Sequence, residues 1–196
     1  MSGERMLAFL SGCNSEQQLG LRIVTQCAPV LKGVKASNLI TVEPGQSHQV
    51  KTYLKTTNVI CILLYHDKHR EVLFLYRDDL LKDYIKQTKV KHFLASYGYL
   101  DTGIAAILIR LRSRYQRYAS GIQEFPHELG VLLEYPVDDV RGFIRHKGKH
   151  CLMERYWKVY HDPEGARRTF QMYDQARETA MEEILAGCPL LQVAVS

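Results

Sequence analysis

The sequence predicts an α+β fold, a predominantly helical single domain with a small hairpin-based β-sheet. Three observations carry this. Asn58 to Tyr65 and Glu71 to Tyr76 are short β-branched and aromatic runs flanking a polar His66-Asp67-Lys68-His69-Arg70 turn, the pattern of a hairpin. Several other stretches space apolar residues at helical intervals and open on capping residues. The 196 residues suffice for one core: a chain of this size buries about 70% of its unfolded surface without a disulfide or metal. One domain is expected over 1–196, with an ordered core at about 15–186 and short tails.

Taken in order, Ser15 and Gln18 form a capping-box pattern opening a helix with Leu19, Ile23, Val24 and Cys27 on one face. Pro29 is expected to end or bend it, and Ala28 to Leu39 reads as a loop turning at Gly33. Leu39 to Val42 reads as a short strand broken by Pro44-Gly45, and Val50 to Leu54 as a weaker strand. The first hairpin strand is apolar throughout, which places it centrally in the sheet. Asp78 or Asp79 caps the next helix, whose inward face is Leu80, Leu81, Tyr84 and Ile85. Asp101 caps a longer helix to about Tyr118, with Leu108, Leu111 and Tyr115 inward and Arg110, Arg114 and Arg117 on another face. Pro126 starts a short helix to about Glu134, and a second runs from about Val137 to Arg145. Asp162-Pro163-Glu164 opens the last helix, which Gly187 and Pro189 close.

Composition excludes more than it names. With 46% hydrophobic and 24% charged residues the chain is neither disordered nor collagen-like. The net charge is +5, and the excess is local: Lys82, Lys86, Lys89, Lys91, Arg110, Arg112, Arg114 and Arg117 face only Asp83 and Asp101. Such a patch favours an anionic partner, although a solvated helix face is the plainer reading. Five cysteines without a C-x-x-C pair read as reduced thiols in a cytoplasmic protein. Leu10-Ser11-Gly12-Cys13 resembles a lipoprotein cleavage box, but Met6 to Leu10 is too short for a signal core of about 7–15 apolar residues. No run approaches the roughly 20 apolar residues of a membrane span, so no membrane partner is expected. Phosphate-loop, dinucleotide-fingerprint, zinc-protease and serine-elbow motifs do not occur.

Several groupings remain. His66-x-x-His69 reads as a solvated turn and His146-x-x-x-His150-Cys151 as interrupted by Gly148, so no metal is expected from either. Cys27, on an apolar face, reads as core. His127-Glu128 follows Pro126 at a helix start, where an anion is favoured. A histidine beside a carboxylate suits acid–base work, and it equally suits a structural helix start. The two short helices form a weak helix-turn-helix pattern, opposed by Asp138 and Asp139. Tyr156-Trp157-Lys158-Val159-Tyr160 is the densest aromatic cluster and reads as a core edge before a stacking surface.

Phe125 to Ile144 (FPHELGVLLEYPVDDVRGFI), with Tyr156 to Tyr160 (YWKVY), resembles a bacterial family called domain of unknown function thirty-seven ninety-three. Gln26 to Leu39, with its C-A-P-x-L-x-G-x-K-x-x-x-L run, is similar to that family's N-terminal segment, and the strand ending Leu75-Tyr76-Arg77 fits. The resemblance spans about residues 15 to 186. It implies a cytosolic protein of mainly anaerobic bacteria, with a link to redox or iron physiology, and it brings no activity or cofactor. This chain has Ala176 where members often carry a cysteine, and Arg155 where they tend to have a glycine. Both departures weigh against a multi-thiol metal site. The motif positions that are not obviously core are His127, Glu128, Lys35, Asp139, Trp157 and Lys158, with Cys27 as a thiol.

Three functional classes follow. The first is a small accessory protein that binds a ligand or protein partner around His127 and Glu128. The second is an enzyme or redox protein using His127 and Glu128, with Cys27, for proton transfer or thiol chemistry. The third is nucleic-acid binding through Arg110, Arg112, Arg114 and Arg117.

Overall fold

A computed structural model of the chain describes residues 14–100 and 103–194. The Leu10–Cys13 stretch and the expected cap Asp101 lie outside the described residues.

Helix α1 (Ser15–Leu31) is capped by a box one residue earlier than expected, Asn14 with Gln17 in place of Ser15 with Gln18. Asn14 accepts from the Gln17 backbone N–H at 2.8 Å, and the Gln17 side chain accepts from the Asn14 N–H at 2.9 Å. Pro29 lies inside the helix rather than ending it, and its carbonyl then takes the N–H groups of both Val34 and Lys35. A proline near a C-terminus costs little when the helix is about to stop and its carbonyl organises the exit turn.

Strands β1 (Ser37–Val42), β2 (Val59–His66) and β3 (Glu71–Arg77) form an antiparallel sheet in the order β1-β3-β2. The hairpin is as expected. The central strand is β3, not β2, which corrects the reading from apolar content. Leu73 and Leu75 pack on one face with α1, while Val72, Phe74 and Tyr76 pack on the other. Every residue from Val72 to Tyr76 is therefore buried, whereas β2, an edge strand, leaves Ile60 exposed. A bulge between Leu63 and Tyr65 turns both Leu64 and Tyr65 toward the same cluster. The weak strand expected at Val50 to Leu54 is instead helix α2 (Ser47–Leu54). Val50 and Leu54, four residues apart, share its buried side, so helical spacing overrides the β-branched composition.

On the second face lie α3 (Asp78–Lys86), α4 (Thr88–Ser96) and α5 (Ile104–Ala119). The expected single helix after β3 is two, divided at Gln87, whose φ −58° and ψ 133° are extended. Leu108, Leu111 and Tyr115 of α5 are buried as expected. Helices α6 (Glu128–Leu132) and α7 (Val137–His146) follow, then a two-stranded hairpin of β4 (Met153–Glu154) and β5 (Lys158–Val159). Helix α8 (Pro163–Leu185) starts as read, with Asp162 capping the Gly165 N–H at 2.9 Å. It packs along α1, and α9 (Leu190–Val193) closes that layer. A third cluster, Trp157, Val159, Phe170 and Tyr173, joins the hairpin to α8. No helix among the described residues is long and apolar enough to cross a membrane.

Candidate functional site

A cleft of about 410 Å³ opens between α6, α7 and the β4–β5 hairpin. Its geometry is set by Asp139, in the first turn of α7 and 3% exposed. One carboxylate oxygen accepts the Trp157 indole N–H at 2.7 Å. The other accepts the backbone N–H groups of Tyr160 and His161 at 2.7 and 2.9 Å. Three donors on a buried carboxylate fix the hairpin against the helix. Trp157 is held further by Tyr135, stacked at 5.5 Å, and by the edge of Phe170 at 4.5 Å. Trp157 is 7% exposed and packs as the core edge expected of the aromatic cluster, and it also forms a wall of the cleft.

Gly142 explains how closely α7 approaches. A Cβ there would lie 2.5 Å from the Tyr160 Cβ. A mid-helix glycine costs up to about 1 kcal/mol relative to alanine, and here it permits the contact.

His127 lies at the opposite wall. Its ring sits 5.6 Å from Phe125 and 5.8 Å from Phe143, centroid to centroid. Burial pushes the imidazole below its ordinary range, against the opposing pull of Glu128 and Glu124. It is therefore a neutral ring at neutral pH, able to donate through one nitrogen and accept through the other. The remaining walls are apolar, with Leu133 and Val140 prominent. Apart from the Asp139 carboxylate, which its three donors hold, the charged lining residues lie on the hairpin. There Lys158 donates to the Gly148 carbonyl at 2.9 Å, with Glu154 at 3.6 Å. Arg155 pairs with Asp174 at 2.9 Å.

The other site candidates separate from this cleft. Glu128 is adjacent to His127 in sequence but points inward and is fully buried. Arg114 of α5 donates to it through Nε and Nη2, and the Tyr99 hydroxyl donates to it at 3.1 Å. Residues i and i+1 at a helix start project in different directions, so adjacency does not make a working pair. Cys27 is fully buried against α1's partners, and burial pushes its thiol up to about 12. Lys35, 4% exposed, sits behind the cleft, its ammonium 5.3 Å from the Tyr135 ring and 5.5 Å from Tyr173. It donates to the Asn38 side chain at 3.2 Å. Burial pulls it down to about 8, although Glu134 and Cys27 act the other way.

Two of the four arginines on α5 are engaged in the fold. Arg114 serves Glu128, and Arg110 donates to the Tyr97 carbonyl at 3.0 Å and lies over the Tyr99 ring. Arg112 and Arg117 are exposed. No group of three or more histidine, cysteine, aspartate or glutamate side chains suited to a metal occurs among the described residues.

Segments 125–144 and 156–160, which carry the family resemblance, supply most of the cleft's lining. The family model described as "Protein of unknown function (DUF3793)" matches residues 23–194. The chain belongs to this family. No curated protein and no solved structure matches it. In this DUF3793 chain, His127, Asp139, Trp157 and Lys158 converge at one cleft, and Glu128, Cys27 and Lys35 do not line it. Phe125, Phe143 and Arg155 join the lining although no local pattern in the sequence marks them as site residues. Phe143 of α7 is 36% exposed and lines the cleft. Gly142 was the available signal, since a helix glycine marks a close approach.

Proposed function

We propose that this protein binds a small, mainly apolar molecule in the α6–α7–hairpin cleft, through an aromatic wall and one hydrogen-bonding group facing His127. The observation that carries this is the cleft itself: a concavity of about 410 Å³ with apolar walls, a Trp157 ring fixed by Asp139, and a neutral imidazole at the edge. Small-molecule sites have this composition, apolar lining with a few placed polar groups.

Binding is favoured over catalysis because Glu128 is spent on Arg114 and cannot orient His127, and because Cys27 lies outside the cleft. The proposal keeps the protein cytoplasmic. The four described cysteines, Cys27, Cys61, Cys151 and Cys188, are free thiols, in keeping with a reducing compartment.

Trp157 is the only tryptophan and lines the cleft, so its fluorescence reports on this site alone. The test is a titration with 4-bromophenol, a flat molecule with one hydroxyl and a heavy-atom quencher. Saturable quenching is expected, weakened about fivefold or more in His127→Ala and in Phe143→Ala, roughly 1 kcal/mol each. Quenching that rises linearly without saturation, or is equal in both folded variants, contradicts the reading.

A further inference from the structure

We propose that a second groove, between α3, α4 and the first turns of α5, binds a single-chain amphiphile with an anionic head, of the long-chain carboxylate class. The groove encloses about 550 Å³ and shares no lining residue with the first cleft. Its floor is apolar: Ile85, Leu94, Ile104 and Ile107. Leu100, 73% exposed, stands at its rim. Lys82, Lys86 and Lys91 also line it, and among the described residues no carboxylate does.

An apolar trough edged by ammonium groups matches a molecule with the same division. The chain leaves water for the floor, and the head meets the lysines, whose long stems reach along apolar surface while the charge stays wet. Lys82 and Lys86 are paired with Asp78 and Asp83, one turn away on α3. These pairs are exposed and therefore weak, so the ammonium groups are able to turn to a carboxylate in the groove. Leu94 and Ile107, otherwise packed in the core, line the groove, whose concave shape of about 550 Å³ suits a single chain.

The test is isothermal titration of the full chain with sodium laurate below its micelle concentration. Dodecyltrimethylammonium is the comparison of equal length and opposite charge, and phosphatidylglycerol vesicles form a third arm. One laurate is expected to bind, about tenfold tighter than the cation, with Trp157 fluorescence unchanged. Lys86→Glu combined with Lys91→Glu changes two exposed side chains, its folding being checked by circular dichroism, and is expected to reverse the preference. Equal affinity for both amphiphiles, undiminished laurate affinity in the folded double variant, or vesicle binding without laurate binding overturns the proposal.

Discussion

The Asp139 carboxylate and the Trp157 indole meet at 2.7 Å across eighteen residues of sequence, joining α7 to the β4–β5 hairpin. This bond builds one wall of the cleft. Asp139→Ala leaves the indole N–H and two backbone N–H groups without their acceptor. The expected loss of stability is about 3 kcal/mol, read by urea denaturation. Trp157 emission is expected to shift to the red in the folded variant as its ring loosens. Unchanged stability and emission would show that the hairpin is held by something else.

Arg114 and Glu128 predict a non-additive pair. Arg114→Ala strands a fully buried carboxylate and is expected to cost about 3–5 kcal/mol. Replacing both, with Arg114→Met and Glu128→Leu, is expected to recover most of that loss, because no buried charge remains. Equal losses in the single and double variants would argue that the pair is not what ties α5 to α6.

Lys35 predicts a dependence on alkaline pH. Its folded-state value, about 8, lies below the ordinary 10.5, so between these the unfolded chain holds a proton that the folded one has released. Stability contributed by this group therefore rises with pH across that window, by up to about 3 kcal/mol. Lys35→Met removes the titration while leaving the tyrosines and thiols in place. The stability of the native chain relative to this variant should climb from pH 8 to 10, and a flat difference would place the Lys35 ammonium in a wetter setting than the Tyr135–Tyr173 box.

Cys27 and Cys61 are both pushed up to about 12 by burial. At pH 8, iodoacetamide is expected to modify Cys151 and Cys188 first, and Cys27 only as fast as the protein opens. Peptide mapping by mass spectrometry reads the order. Cys27 modified at the rate of Cys151 would restore the thiol to the chemical candidates.

What the sequence made legible followed local chemistry. The hairpin, the Asp162-Pro163 helix start and the inward face of α5 are written in neighbouring residues, and the structure has each of them. Val50 to Leu54 misled because β-branched residues argued for a strand while the partner surface, α1 and the sheet, selected a helix face. The edge position of β2 depends on which strand receives β1, which no local pattern encodes. At the site, His127 and Glu128 are neighbours in sequence that face different surroundings, whereas Asp139 and Trp157 meet across a loop and hairpin. The second relationship is tertiary, and only the glycine at 142 hinted at it.

The cleft between His127 and Trp157 is the proposed seat of a small apolar molecule. The most direct test of this is a two-dimensional amide spectrum of the isotope-labelled full chain with increasing 4-bromophenol. Saturable shifts centred on Gly130, Phe143 and the Trp157 indole N–H are expected, with the α3–α4 groove unmoved. Shifts centred elsewhere, or none, would contradict it.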